Sequence, residues 1–136
     1  MNAIMDTGPW VALIDRSESR HTDCVAWFKD FSGTLYSTEA VLTEVLYLLN
    51  FSIQAQTAAI DFVLNSIVQM IPSGSDSFES VRDLMVKYSD LPMDYADATV
   101  VCLAQHTDIH QIVTFDRKDF SVFRPEKGKY FQIVPD

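Results

Sequence analysis

Asp6, Glu44, Asp97 and Asp116 are acids at positions where the surrounding sequence asks for something else. Asp6 directly follows the apolar run Ala3-Ile4-Met5, and Asp116 directly follows Ile112-Val113-Thr114-Phe115. Glu44 stands in line with Val41 and Leu48 and next to Val45 in the helical pattern TEAVLTEVLYLLN, because residues three and four apart share a helix face. Asp97, within DLPMDYADATVVCLAQH, shares a face with Met93, Val100, Val101 and Ala104 on a helix predicted to begin near Pro92. A carboxylate in such surroundings is costly unless it is paired, hydrogen-bonded or bound to a metal. No interior Lys or Arg lies near any of the four in sequence. Carboxylates gathered in one pocket raise one another's pKa strongly, and a divalent cation resolves that conflict. Oxygen-only ligands favour Mg²⁺ or Mn²⁺ over the nitrogen and sulfur environment of zinc. His21, His106 and His110 have no ligand spacing and read as ordinary surface or helix-end residues.

The elements that must position these acids alternate between strand and helix. Short apolar runs at Ala3-Met5, Leu35-Tyr36, Ile67-Ile71, Ile112-Phe115 and Tyr130-Val134 are separated by helical patterns at Pro9-Ile14, Arg20-Phe31, Thr38-Asn50, Gln54-Ser66, Phe78-Tyr88 and Pro92-His106. This alternation predicts an α/β domain whose mainly parallel sheet, of four to five strands, is covered by helices. In such sheets sites open at the carboxyl ends of the strands, where Asp6 and Asp116 stand. Asp94 falls in the first turn after Pro92, a position consistent with either capping or a role in the site. Glu39 falls in the first turn of its helix, where the helix dipole favours a carboxylate. Thr7 is placed to cap the first helix, with Ser37 or Thr38 capping the third.

A chain of 136 residues, 48% hydrophobic and 12% aromatic, is expected to form one domain over 1–136 around a single core. There is no signal-peptide pattern and no stretch approaches a membrane span, so a cytoplasmic protein is expected. Cys24 and Cys102 lack any paired-cysteine motif and read as buried thiols. A net charge of -9 ordinarily argues against a nucleic-acid partner. The distribution softens this, because Arg117, Lys118, Arg124, Lys127 and Lys129 all fall within residues 111–136. A solvated face explains them as well as phosphate contact does.

MDTGPWVALID with Asp6, TEVLYLL with Glu44, LPMDYADATVV with Asp97 and VTFDRKDF with Asp116 resemble, in order and spacing, the four acidic motifs of PIN domains, especially the VapC-type toxins of bacterial toxin–antitoxin pairs. The resemblance extends over essentially the whole chain. It implies a three-layer, Rossmann-like PIN fold and a Mg²⁺- or Mn²⁺-dependent endoribonuclease acting on RNA phosphodiester bonds. Asp6, Glu44, Asp97 and Asp116 would form the catalytic group, with Asp6, Asp97 and Asp116 holding the metal and Glu44 orienting a water or holding the metal through one. Asp94 and Asp119 are extra acids beside these motifs. Thr7 and Thr114 could hydrogen-bond the carboxylates, although turn capping and strand propensity account for both equally well. Arg117, Lys118 and Arg124 would be placed to bind RNA, and an antitoxin and a homodimer are the implied partners.

Four other readings are weaker or differ in class. A receiver-type phosphoacceptor needs a lysine where the late strand here meets Asp116, and a dehalogenase-type phosphatase needs a second Asp where Gly8 stands. A free-standing RNA-processing PIN nuclease and a non-catalytic PIN-like binding module share the same motifs. Trp10, Trp27 and Phe28 read as core residues rather than as the walls of a groove.

Overall fold

The computed structural model describes all 136 residues. Its elements run β1 (Asn2–Met5), α1 (Thr7–Ile14), α2 (His21–Asp30), β2 (Thr34–Ser37), α3 (Glu39–Leu48), α4 (Ile53–Leu64), β3 (Val68–Met70), α5 (Ser75–Lys87), α6 (Tyr95–Thr107), β4 (Gln111–Val113), α7 (Arg117–Phe120) and β5 (Gln132–Val134). The five strands form one sheet in the order β3-β2-β1-β4-β5, and every pairing is parallel. Ala3, Ile4 and Met5 are buried because β1 lies at the centre of a helix-covered sheet. Such strands read as continuous apolar runs.

The chain leaves β1 toward β2 on one side, and returns after β3 to place β4 on the other side of β1. This reversal puts a crevice at the carboxyl ends of β1 and β4, the place where open α/β sheets bind their ligands. Ile4 pairs with Ile112 and Met5 with Val113, so the residues following both strands emerge side by side.

Helix α5 begins at Ser75 rather than Phe78, and β4 and β5 are shorter than expected, with β4 ending at Val113 and β5 beginning at Gln132; three further differences have a local reason. Helix α1 begins at Thr7 rather than near Pro9, because a proline in the first turn lacks only an N–H that the helix would leave unused. Helix α6 begins at Tyr95 rather than near Pro92. Asp94 is its N-cap: the Asp97 N–H donates to Asp94 Oδ1 at 2.8 Å and the Asp94 N–H donates to Asp97 Oδ2 at 3.3 Å, a reciprocal capping box. Helix α7 was not anticipated; it is four residues long and capped by Asp116, which accepts from the Asp119 N–H at 3.1 Å.

The core joins both sheet faces. Ala98 to Ala104 of α6 are buried without interruption, so the middle of this helix is enclosed on all sides. Trp10 is fully buried and stacks on Phe62 with centroids 6.5 Å apart, whereas Trp27 and Phe28 are half-buried and pack against the core. Phe123 meets Tyr88 and Phe120 edge-on, at 5.0 and 5.2 Å, and Phe120 meets Phe131 edge-on at 5.5 Å, which ties α7 to the end of α5 and to the residue before β5. Cys24 and Cys102 are free, buried thiols. No helix is long and apolar enough to cross a membrane.

Candidate functional site

Asp6 follows β1 at the crevice, and its backbone N–H donates to the Val113 carbonyl of β4 at 2.9 Å. Its side chain makes no capping bond to α1. Instead Thr114, just past β4, donates to Asp6 Oδ2 at 2.7 Å. The same Thr114 hydroxyl accepts from the Asp116 N–H at 3.0 Å, so one threonine sets the relation between the two strand-end acids. Glu44 arrives from α3, where Thr7 donates to its Oε1 at 2.9 Å. The Thr7 hydroxyl therefore joins α1 to α3 rather than capping α1, which corrects the expectation of a capping role.

Asp97 stands in the first turn of α6, half-buried at the same crevice. The sequence reading placed it a turn deeper; the shorter helix makes it the third residue, and the capping box accounts for part of its polar requirement. It does not account for the charge. Burial pushes Asp97 up to about 8, with Asp94 and then Asp6 adding repulsion. Burial also raises Asp6, to about 6: the hydrogen bond from Thr114 and the nearby Thr7 N–H oppose the rise, and the charges of Glu44 and Asp116 add to it. Asp119 is raised as well, through partial burial and the neighbouring charge of Asp116. None of the four ion pairs in the protein involves any of these acids.

Asp6, Glu44, Asp97 and Asp116, with Asp94 and Asp119 beside them, thus converge on one crevice from five elements and carry no protein cation between them. The donors are all oxygen, which fits a hard divalent ion such as Mg²⁺ or Mn²⁺ and fits zinc poorly. In the conformation described, the carboxylates of Asp6, Glu44, Asp94, Asp97 and Asp116 each accept a hydrogen bond, and no three of the acids bring ligand atoms within 4.8 Å of one another. The trio that meets that spacing, Asp108, His110 and Glu126, lies beyond the amino end of β4. Closing the acids around an ion would cost little at Asp97, whose 3.3 Å bond from Asp94 is at the weak end of the range.

The cations expected at the site are largely engaged elsewhere. Arg117 donates to the Pro135 carbonyl at 2.6 Å and pairs with Asp136 at 3.6 Å. Arg124 donates to the carbonyls of Ser121, Val122 and Phe123 and lies over the Tyr130 ring at 4.0 Å. Lys118 is exposed and has no partner. The sequence reading overlooked Arg20, whose guanidinium lies 4.4 Å over the Phe115 ring beside Asp116. No local signal marks it, because α2 must fold back to bring it there. It also overlooked two tyrosines. Tyr95 borders a cleft of about 390 Å³ with Glu44 and Asp94, and Tyr47 borders one of about 510 Å³ with Glu44 and Thr7. In sequence Tyr47 lies three residues after Glu44 and Tyr95 two before Asp97.

A family model described as the PIN domain matches residues 3–124. Ribonuclease VapC26 of Mycobacterium tuberculosis (strain ATCC 25618 / H37Rv) is 27% identical over 134 residues, covering 97% of this chain and 99% of the relative. Among solved structures, VapC20 of Mycobacterium tuberculosis, described as a Sarcin-Ricin loop cleaving toxin, superposes with a TM-score of 0.79 at 22% identity, over 85% of this chain and 91% of its own. VapBC2 from Rickettsia felis, bound to a DNA fragment from its promoter, gives a TM-score of 0.68 at 15% identity over 99% and 100% of the two chains. A toxin–antitoxin complex from Klebsiella pneumoniae gives 0.69 at 18% identity over 98% and 96%. At these identities the structural matches establish the fold.

Proposed function

The chain belongs to the PIN domain family, and on that premise we propose that it is a divalent-metal-dependent endoribonuclease and the toxin of a toxin–antitoxin pair, with residues 1–136 acting as one domain. The observation that carries this reading is the set of uncompensated acids at the carboxyl ends of β1 and β4, with Asp6 raised to about 6 and Asp97 to about 8. Carboxylates in a crevice that are perturbed by burial together with specific charged neighbours are candidates for a functional site. The likeness to a ribonuclease and to a toxin–antitoxin complex supports the choice of substrate and partner.

Asp6, Asp97 and Asp116 would hold the ion, Mg²⁺ or Mn²⁺. When bound, that ion supplies the positive charge that balances the carboxylates, offsets charge developing on phosphate oxygens and makes water more acidic. The protein's own groups do the rest. Thr114 fixes one oxygen of Asp6, so the other would be the one to meet the ion. Thr7 occupies one oxygen of Glu44, so the second can orient a water and accept its proton as the water attacks a phosphodiester in line. Asp94 secures the backbone at Asp97 and so sets where that carboxylate stands.

The test is cleavage of a mixed RNA pool by purified protein with Mn²⁺, with Mg²⁺ and with excess chelator. Cleavage with either metal, none in chelator, and a loss of orders of magnitude in Asp97→Asn with an unchanged circular dichroism spectrum are the expected results. Full activity after rigorous metal removal would overturn the metal-dependent reading. An inert wild type that still folds and binds RNA would reassign the chain to a non-catalytic role.

A further inference from the structure

A chain of net charge -9 whose cleft is lined by acids has little electrostatic hold on a polyanion, and two of the three cations nearest the fourth motif are bonded to carbonyl oxygens. The hold on RNA must come from elsewhere. Of the five tyrosines, Tyr88 is buried and accepts from the Arg124 N–H, Tyr130 lies under Arg124, and Tyr36 packs against the core. Tyr47 and Tyr95 differ: they are 72% and 41% exposed, and neither has a hydrogen bond, a ring partner or a cation. Both border the acids. The cleft of Tyr47 and the cleft of Tyr95 share Thr43 and Glu44 as a common rib, with one ring on either side of it.

We infer that Tyr47 and Tyr95 are stacking platforms for unpaired bases of a single-stranded RNA whose backbone crosses the Thr43–Glu44 rib. This rests on the ribonuclease reading, because it is the scissile phosphate that must reach Glu44 and Asp97; the nucleotides on its two sides then fall beside the two rings. Stacking suits this cleft where ion pairing does not. Every base has an apolar face, and the attraction needs no positive charge from the protein. The arrangement selects RNA whose bases are free, since paired bases in a duplex cannot splay onto a protein ring. Leu48, 51% exposed beside Tyr47, extends the apolar edge.

The experiment uses a short single-stranded oligoribonucleotide carrying the fluorescent base 2-aminopurine, and the same strand annealed to its complement. Binding is measured on a Glu44→Gln background in Mn²⁺, and steady-state cleavage on the otherwise wild-type protein. Tyr47→Ala and Tyr95→Ala should each weaken binding of the single strand by about 5- to 150-fold and reduce quenching of 2-aminopurine. In cleavage they should raise KM with little change in kcat, as loss of uniform binding does. Tyr47→Phe and Tyr95→Phe should recover most of the binding and quenching lost in the alanine variants, and Tyr47→Leu and Tyr95→Leu should not. Alanine variants that bind and quench like the parent overturn the inference, as does a parent that fails to bind the single strand or binds the duplex as tightly. Alanine variants that leave RNA binding intact but change the molar mass in solution assign these rings to contact between copies of the chain, which also overturns it. Failure of the ribonuclease reading looks different: the Glu44→Gln parent binds and quenches, but the wild-type protein cleaves nothing.

Discussion

Replacing Asp6 by Asn should stabilise the metal-free protein, and the gain should depend on pH. The Asp6 carboxyl titrates at about 6 in the fold instead of near 3.8, chiefly because burial removes it from water. The folded state therefore binds this proton more tightly than the unfolded state. At pH values below 3.8 both states carry the proton and Asp6 costs nothing. Between 3.8 and 6 the contribution of Asp6 falls as pH rises, and above about 6 the whole penalty is present. Two pH units correspond to about 3 kcal/mol. Asn keeps an oxygen able to accept from Thr114, so little of that hydrogen bond is lost. Allowing for relaxation around the charged form, we expect a gain of about 2 kcal/mol near pH 8. With an unfolding entropy of about 2.1 cal/mol/K per residue over 136 residues, this is about 7 °C in Tm. Thermal unfolding followed by circular dichroism in chelator, near pH 8 and near pH 4.5, measures it; the gap between variant and wild type should narrow at the lower pH. In Mn²⁺ the order should reverse, since an ion a hundredfold above its Kd stabilises wild type by about 2.7 kcal/mol and the variant has lost a ligand. An apo Asp6→Asn that melts well below apo wild type near pH 8 would refute the reasoning, because deleting one partner of a buried ionic pair costs about 3–5 kcal/mol and that is how a structural acid behaves.

Glu39 and Glu44 separate the site from its helix. Glu39 is exposed in the first turn of α3, so Glu39→Gln should leave RNA cleavage nearly intact, whereas Glu44→Gln should lower it by about 10²- to 10⁴-fold; equal losses in the same assay would mean that Glu44 is not the acid at the site. Gly8 tests the packing behind Asp116. A Cβ there would stand 2.9 Å from Phe115 Cδ2, so Gly8→Ala must displace the ring that carries Arg20. The expected result is a loss of about 1–3 kcal/mol in denaturant unfolding together with reduced cleavage, and unchanged values for both would show that Phe115 moves freely.

The sequence alone determined the alternation of strand and helix, the positions of all five strands, and the identity of the acids that needed explaining. These follow from local chemistry: an apolar run closed by Asp6 or Asp116 reads the same in any fold that buries it. Burial of Trp10 and of both thiols was legible for the same reason, since large apolar and thiol groups leave water wherever the chain permits. The depth of Asp97 was misjudged because periodicity registers a face and not a start. Pro92 looked like the first turn, and only the reciprocal bonds of Asp94 and Asp97 place that start at Tyr95. The tertiary structure decided the rest: that β1 and β4 adjoin, that Thr114 holds Asp6 across 108 residues of sequence, that Thr7 holds Glu44 across 37, that Arg117 and Arg124 are engaged by carbonyls, and that Tyr47 and Tyr95 stand on either side of one rib. The physical reason is common to all of these. A residue's own preference for burial or solvent is written in its side chain, but its partner is fixed by how distant elements pack, and strand order and helix placement are properties of the whole core.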